Sequence, residues 1–341
     1  MTRTNAVQAK QKRSISRVLG NYSFIFIFIA ILLAYLWVNG GATTWSGVMN
    51  ILRHSTVVGT IAIGMGLAII TGGIDLSVGS MVALIGGFSV VVFNATNSPI
   101  LTLLFSLFAG FVCGSINGLL IGKVKMPPFI VTLGTMMIFR SIAQFYLRSV
   151  ERKSIYNMNG TLSSYDAFYG FGQSKLFGLV PMVGVVLILT VMLMVFISTS
   201  TKYGRTIYAV GSNEHAALLA GINVDWVRVS VYTITGILCG LASFLWLAMN
   251  GSVDPATLGR SNEMYAIAAV VIGGVSMSGG KGKLLGVLFG AMSYTLIDKI
   301  IASMGFDALI NDTIKGSILL LAVFIQIMIP VIRKKMRREK D

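Results

Sequence analysis

Asp75 is the only formally charged residue between Arg53 and Lys123, in a stretch that is otherwise apolar or rich in small residues. An ionised aspartate at the centre of a bilayer costs roughly 2.5 to 3.5 kcal/mol, so it belongs at an interface, a helix break or a watery cavity. The glycine pair Gly72 and Gly73 favours a break, because glycine accepts positive φ angles and close approach of other segments. The sequence therefore predicts two membrane helices separated by a glycine-containing turn at Asp75.

The composition agrees with a membrane protein. Hydrophobic residues make up 55% of the chain and charged residues 11%, whereas soluble domains carry about 25% charged residues. The mean hydropathy is +0.81. Several charge-free stretches reach the roughly 20 apolar residues that one helical span requires. We therefore expect an all-α polytopic membrane protein with one membrane domain.

Hydropathy and loop charge predict about ten transmembrane helices. They cover residues 22–38, 51–71, 79–94, 100–121, 128–147, 177–198, 227–248, 264–277, 284–303 and 313–332. A basic start followed by the apolar run from Phe24 to Val38 is also typical of a signal peptide. Cleavage would leave nine spans and would export the basic tail or invert the loops, so the charge distribution favours ten spans.

The basic residues are concentrated at the two ends and in a few short loops. A net charge of +15 would indicate nucleic acid binding in a soluble protein. Here the pattern is typical of topology signals and of contacts with anionic lipids in the bilayer, and we expect no nucleic acid partner. The predicted organisation is a basic cytoplasmic N-terminus over residues 1–20, a single transmembrane domain over 21–332 and a basic cytoplasmic tail over 333–341.

The glycine-rich turn has an internal echo. Residues 72–79 read Gly-Gly-Ile-Asp-Leu-Ser-Val-Gly, and residues 273–280 read Gly-Gly-Val-Ser-Met-Ser-Gly-Gly. Either duplication of half a transporter or chance would explain the similarity of these two segments. Short glycine-broken helices in corresponding places indicate a transport pathway. The predicted hinge residues are Gly72, Gly73, Asp75, Gly79, Gly273, Gly274 and Gly279.

The role of Asp75 has two interpretations. Aspartate is a good N-cap, so Asp75 is suited to cap a helix that restarts at Leu76. Alternatively, the carboxylate acts directly on a transport path. The second copy of the motif has Ser276 in place of Asp75. Serine and aspartate are both good caps, so this exchange favours capping over proton transfer.

We expect no enzymatic activity and no metal site in this chain. The glycine-rich run around Lys281 resembles a phosphate-binding loop, but Gly282 follows the lysine where such a loop requires Ser or Thr. His54 and His215 are isolated from each other. Cys113 and Cys239 lie in separate apolar spans, which argues against a disulfide framework or a metal cluster.

A polar segment over residues 199–228 contains one short predicted helix. Ser212, Asn213 and Glu214 precede small and apolar residues that end at Gly221, the pattern of a capped helix with a glycine stop. Two turns of small and apolar side chains suit docking into a groove on another protein. A connector packed on the membrane face is the alternative.

Four motifs together resemble the permease subunits of monosaccharide ABC importers, the ribose, xylose and galactose or methyl-galactoside systems. They are Thr71–Gly79, Pro127–Thr135, Gly211–Val224 and Ala266–Gly274, in matching order, and the resemblance extends from about residue 45 to 330. Two positions depart from the family pattern. His215 lengthens the Glu-Ala-Ala loop by one residue, and Asn262-Glu263-Met264-Tyr265 replaces the usual Tyr-Glu-Leu-Asp.

The resemblance implies a transport subunit of the bacterial cytoplasmic membrane, with both termini in the cytoplasm. In that family the permease pairs with a second copy, binds a cytoplasmic ATPase that uses ATP and Mg²⁺, and receives sugar from an extracytoplasmic binding protein. The chain itself is expected to bind no cofactor. The implied coupling helix, which would contact the ATPase, contains Asn213, Glu214, Ala216, Ala217 and Gly221.

Neutral sugars require hydrogen-bond partners and apolar ring contacts. Asn117, Thr132, Thr135 and Gln144 are the candidate pathway-lining residues, although polar residues also pack membrane helices. Arg140 is expected to snorkel to the interface or to contact substrate. The alternatives are a related permease for nucleosides or amino acids, or an ion-coupled secondary sugar transporter, which would need membrane carboxylates such as Asp75 and Asp298.

Overall fold

A computed structural model describes residues 22–40, 43–146, 148–149, 155–305, 310–311, 313–324 and 328. The predicted basic ends, residues 1–20 and 333–341, lie outside the described residues. Within the described part the protein is mainly helical, and only two short two-stranded ladders are present. The prediction of an all-α polytopic protein is confirmed.

The described part of the chain contains thirteen helices. In chain order they are α1 Ser23–Val38, α2 Trp45–Ile70, α3 Val78–Thr96, α4 Pro99–Gly122, α5 Pro128–Tyr146, α6 Tyr165–Gln173, α7 Met182–Ser200, α8 Lys202–Ser212, α9 Glu214–Leu219, α10 Val224–Asn250, α11 Asn262–Ile272, α12 Leu284–Ser303 and α13 Thr313–Phe324. The strands are β1 Tyr156–Asn157, β2 Lys175–Leu176, β3 Val180–Pro181 and β4 Ser252–Val253. β1 pairs antiparallel with β4, and β2 with β3.

Seven of the described helices are long and apolar enough to cross a membrane: α2, α3, α4, α5, α7, α10 and α12. The other three predicted spans correspond to the shorter apolar helices α1, α11 and α13. α11 has 11 residues and is about 16 Å long, roughly half the thickness of the hydrocarbon core. The prediction of about ten spans is therefore approximate.

The centre of the bundle is α2. Every residue from Gly59 to Ile70 is buried, so this apolar helix faces protein on all sides. α10 packs beside it, and Thr235 of α10 donates a hydrogen bond to the carbonyl oxygen of Gly64 at 3.1 Å. By contrast, α4, α5 and α7 carry rows of exposed apolar side chains. These outer helices are the surfaces available to lipid or to a partner.

α4 and α10 pack backbone against backbone. Gly110, Gly114 and Gly118 lie four residues apart on one face of α4. A Cβ at Gly114 would collide with the carbonyl oxygen of Tyr232, and one at Gly118 would lie 2.5 Å from the carbonyl oxygen of Val229. Small residues at this spacing let membrane helices approach closely, which compensates for the weak hydrophobic drive between helices in lipid.

α3 continues without a break through Gly86 and Gly87. A Cβ at Gly86 would lie 3.4 Å from Val253, and one at Gly87 would lie 3.2 Å from Tyr156. The pair therefore provides space for the β1–β4 ladder rather than a hinge. Among the described residues, three helix breaks bear on the site: residues 71–77, 251–261 and 273–283.

Candidate functional site

The first helix break joins α2 to α3 and contains Asp75. The expected cap of a helix beginning at Leu76 is wrong in detail, because α3 begins at Val78 with Ser77 in the N-cap position. Asp75 Oδ1 accepts hydrogen bonds from the backbone N–H of Ser77 at 2.9 Å and from its hydroxyl at 2.5 Å. This arrangement is an Asx turn, which satisfies only Oδ1 of the carboxylate and delays the start of the helix by two residues.

The second break is the irregular segment 251–261, which follows α10 and runs along α3. Val253 contacts Gly86, and Gly259 lies against Gly79 in the first turn of α3. A Cβ on either Gly79 or Gly259 would collide with the carbonyl oxygen of the other, and Gly259 has a φ of +70°. Only glycine fits at both positions, and the segment thereby reaches the interior of the helix bundle.

Arg140 of α5 supplies the hydrogen bonds that this irregular backbone needs. Its Nη1 donates to the carbonyl oxygens of Pro255 at 2.7 Å and Leu258 at 2.6 Å. Non-helical backbone among membrane helices is tolerated only where its polar groups find partners in protein or water. Arg140 thus holds residues 255–258 in place through these two hydrogen bonds, and we call this arrangement the Arg140 lock. It differs from both expected roles of Arg140, snorkelling to the interface and contact with substrate.

A cavity of about 440 Å³ lies beside this lock. α5 contributes Met136, Met137, Arg140, Ser141 and Gln144, and the remaining lining residues are Ser80, Arg260, Ser261 and Glu263. Pockets of this size hold small molecules. The lining combines hydroxyl, amide, guanidinium and carboxylate groups with two apolar thioethers. It can therefore donate and accept hydrogen bonds on one side of a ligand and contact an apolar face on the other.

Of the four pathway-lining residues predicted from the sequence, the structure places only Gln144 at this cavity. Thr132 and Thr135 are buried and donate to carbonyl oxygens of their own helix, those of Pro128 at 2.8 Å and Val131 at 3.0 Å. Asn117 donates to the hydroxyl of Ser77 at 2.9 Å, inside the first break. These three side chains bind neighbouring protein groups.

Sequence reasoning missed most of the cavity lining. Met137, Arg140, Ser141 and Gln144 recur at intervals of three and four residues, the spacing of one helix face. That stripe is a signal that the sequence contains. Ser80, Ser261 and Glu263 have no such signal. The packing of α3 against α5 places Ser80 at the cavity, and the irregular segment 251–261 brings Ser261 and Glu263 to α5.

The third break, residues 273–283, meets the first one. The backbone N–H of Gly280 donates to the carbonyl oxygen of Ile70 at 2.9 Å. Gly211 near the end of α8 packs against the same oxygen, and a Cβ there would collide with it. A Cβ at Gly279 would lie 2.8 Å from the carbonyl oxygen of Gly211. We call Ile70, Gly211, Gly279 and Gly280 the glycine junction.

The predicted hinge glycines fall into different surroundings. Gly72, Gly274 and Gly279 have positive φ angles in turns. Gly73 lies under the hydroxyl of Tyr232, and Gly79 lies against Gly259. Gly273 packs against α12, where a Cβ would lie 2.5 Å from the carbonyl oxygen of Gly286. The two echoed turns are therefore brought together at the glycine junction, and their role as hinges stays a prediction.

Polar side chains of α8 reinforce the junction. Tyr208 donates its hydroxyl to the carbonyl oxygen of Gly282 at 2.9 Å. Burial raises the pKa of the Tyr208 phenol, so the hydroxyl remains a donor at neutral pH. The hydroxyl of Ser212 lies 3.4 Å from the carbonyl oxygen of Gly280. α8 is thus held to the third break by side chains as well as by close backbone packing.

α9 follows the junction directly. The short helix expected after Asn213 is present: the Asn213 side chain accepts from the backbone N–H of Ala216 at 2.9 Å, and Gly221 follows the helix with a φ of +78°. Ala217 is buried, whereas Leu218 and Leu219 are 51% and 79% exposed. The carboxylate of Glu214 forms a 2.7 Å ion pair with Arg228 at the start of α10.

A further exposed apolar side chain lies near the start of α10. Trp226 is 54% exposed, and the ammonium group of Lys123 lies 4.4 Å from the centre of its ring. We call Leu218, Leu219 and Trp226 the α9 surface. Leucine and tryptophan side chains this exposed, bordered by the charges of Glu214, Arg228 and Lys123, are typical of a protein interaction site.

Comparison with known proteins places this architecture among permeases. Residues 47–327 match the model of a family described as branched-chain amino acid transport system / permease component. A ribose import permease protein of Bacillus subtilis (strain 168) is 34% identical over 327 residues, which cover 95% of this chain and 98% of the relative.

Two further relatives have comparable coverage. A fructose import permease protein of Rhizobium meliloti is 34% identical over 88% of this chain and 83% of its own length. A xylose transport system permease protein of Escherichia coli (strain K12) is 31% identical over 89% of this chain and 90% of its own length. No solved structure matches the chain.

Proposed function

Because this chain belongs to the family of branched-chain amino acid transport system permease components, we propose that it translocates a monosaccharide as the membrane subunit of an ABC importer. Permeases are transport components, so the chain is a multi-pass membrane transport protein and not an enzyme. The relatives named as ribose, fructose and xylose permeases support a sugar of five or six carbons as the substrate.

The observation that carries the proposal is the direct connection from the α9 surface to two helix breaks. α9 is exposed and apolar, and α8, which leads to it, packs against Ile70 and Gly280 without intervening side chains. We propose that a cytoplasmic ATPase docks on the α9 surface. Closure of the ATPase would displace α9, and the glycine junction would pass that displacement to the ends of α2 and α11.

The 440 Å³ cavity is the proposed substrate station. Its hydroxyl and amide groups match the donors and acceptors of a neutral sugar, and Met136 and Met137 provide an apolar wall for the ring. The cavity borders the segment 251–261, which continues into α11 and the third break. Movement at the junction would therefore reach the cavity wall through one short helix.

The remaining partners follow from this scheme. The proposed arrangement has both termini and α9 in the cytoplasm, so the hairpin β2–β3 and α6 face the outside, where a binding protein would deliver sugar. A second copy of the chain completes the pathway, and the lipid bilayer covers the remaining apolar faces of the outer helices. ATP and Mg²⁺ are used by the ATPase, and we expect the chain to bind neither.

An amino acid is the second candidate substrate. The description of the matching family names branched-chain amino acid transport. The cavity is lined by the guanidinium groups of Arg140 and Arg260 and by the carboxylate of Glu263. Opposite charges of this kind would suit a zwitterion. Nη1 of Arg140 already donates to the carbonyl oxygens of Pro255 and Leu258, so fewer of its N–H donors are available to the carboxylate of such a ligand.

The test is uptake into proteoliposomes that contain the chain together with the ATPase and binding protein that co-isolate with it. Radiolabelled ribose, fructose, xylose, leucine and adenosine are compared in the presence of ATP. We expect ATP-dependent uptake of one sugar and none when the ATPase is omitted. Preferred uptake of leucine or adenosine would replace the sugar, and uptake driven by an ion gradient without ATPase would overturn the ABC mechanism.

A further inference from the structure

Four buried polar residues surround the first helix break. Asp75 and Ser77 belong to the turn between α2 and α3, Asn117 to α4 and Tyr232 to α10. All four are at most 1% exposed. We call them the Asp75 cluster. Three separate segments of the chain thus contribute polar side chains to a part of the protein that is closed to solvent.

The hydrogen bonds within the Asp75 cluster run in one direction. Asn117 Nδ2 donates to the hydroxyl of Ser77 at 2.9 Å, and that hydroxyl donates to Asp75 Oδ1 at 2.5 Å. Three oxygen atoms have no partner among the described residues: Asp75 Oδ2, Asn117 Oδ1 and the hydroxyl oxygen of Tyr232. A buried polar atom left unpaired is energetically costly, so three in one cluster indicate an occupant.

The carboxylate also lacks a charge partner. None of the ion pairs in the described residues involves Asp75. Arg228, on the same helix as Tyr232, pairs with Glu214 instead. An isolated carboxylate in a protein interior is strongly unfavourable unless it is neutralised by a proton, a basic side chain or a metal ion.

We propose that Asp75, Asn117 and Tyr232 bind a monovalent alkali cation through their unpaired oxygen atoms. A water molecule would supply hydrogen bonds and leave the charge in place. A proton on Asp75 would neutralise the charge and, with the hydroxyl of Tyr232, supply two donors, but it would leave the stability of the protein insensitive to alkali cations. A monovalent cation would accept coordination from the unpaired oxygens and balance one carboxylate, whereas a divalent ion would leave an excess positive charge.

The cation would join the turn at Asp75 to α4 and α10. The site lies close to the glycine junction, because Gly72 and Gly73 connect Ile70 to the turn. It differs from the 440 Å³ cavity, whose lining contains none of these residues. The proposal does not depend on the transported substrate, and the cation is a structural ligand in it, not a coupling ion.

Thermal unfolding of the purified chain in detergent tests the site without sugar, ATPase or binding protein. Choline chloride is replaced stepwise by NaCl, KCl or LiCl at constant ionic strength. We expect one of these cations to raise the unfolding midpoint in a saturable manner, as required for a ligand that binds the folded state. Equal midpoints in all four salts would overturn the proposal, whatever the outcome of the transport assays.

Two variants locate the effect. Asp75→Asn keeps the acceptor of the Asx turn and removes the charge, so it should fold and lose the cation-dependent shift. The matched control is Asp298→Asn, which removes a carboxylate that pairs with Lys315 at 2.7 Å. This control should keep the full shift. A shift that persists in Asp75→Asn would show that the cation binds elsewhere and would refute the assignment.

Discussion

The backbone N–H of Gly280 donates to the carbonyl oxygen of Ile70 at 2.9 Å, which joins the end of α2 to the loop between α11 and α12. Gly211 packs on the same oxygen from α8, and α9 begins shortly after it. Close-packed protein interiors have low compressibility and transmit strain. A displacement of α9 is therefore expected to reach both helix breaks without being absorbed on the way.

The first prediction concerns the glycine junction. Gly211→Ala places a Cβ against the carbonyl oxygen of Ile70 and near the backbone nitrogen of Gly280. We expect the overpacking to destabilise the protein by about 1–3 kcal/mol and to reduce transport more than ATPase binding. Thermal unfolding, ATPase copurification and uptake measure the three effects. Gly134→Ala is the control, since a Cβ there meets nothing within 4 Å, and equal effects of both variants would contradict the prediction.

The second prediction concerns the lock on the irregular segment. Arg140→Met removes the donor to the carbonyl oxygens of Pro255 and Leu258. Each buried acceptor left without a partner costs about 1–3 kcal/mol, so the unfolding midpoint should fall clearly. Arg260→Met removes a second guanidinium from the same cavity and should change stability little. If both variants unfold alike, cavity charge rather than the lock stabilises this region.

The third prediction concerns the cavity. Ser141→Phe fills part of the 440 Å³ volume with an aromatic ring. We expect uptake to fall by at least about tenfold, equivalent to about 1.4 kcal/mol, with ATPase copurification unchanged. The same substitution at Ile138, which is 53% exposed on α5 and does not line the cavity, is the control. Normal uptake by Ser141→Phe would show that the substrate passes elsewhere.

The fourth prediction concerns the α9 surface. Leu219 is 79% exposed, so Leu219→Asp should change the free energy of unfolding by no more than about 0.5 kcal/mol. It should nevertheless abolish copurification with the ATPase, because a carboxylate replaces the apolar side chain that docks. Leu219→Met keeps the apolar surface and should bind normally. Retained ATPase binding by the aspartate variant would argue that α9 is only a connector.

Sequence reasoning recovered the features that depend on local composition. The apolar spans follow from runs of hydrophobic residues, and the capped α9 follows from Asn213 and Gly221. The turn at Asp75 was also predictable, because paired glycines and a lone carboxylate interrupt an apolar stretch. The start of α3 was misplaced by two residues, since an Asx turn and an N-cap use the same side chain and differ only in backbone geometry.

Hydropathy and glycine content act within a few residues, so the amino-acid order is enough to identify a membrane protein with glycine-containing breaks between its helices. The contacts of the polar side chains, in contrast, depend on the three-dimensional packing of the helices. Arg140 meets carbonyl oxygens 115 and 118 residues away, and Asn117 meets Ser77 across 40 residues. Such pairs form only when the packing of α3, α4, α5 and α10 brings distant segments together, and no local pattern encodes that packing.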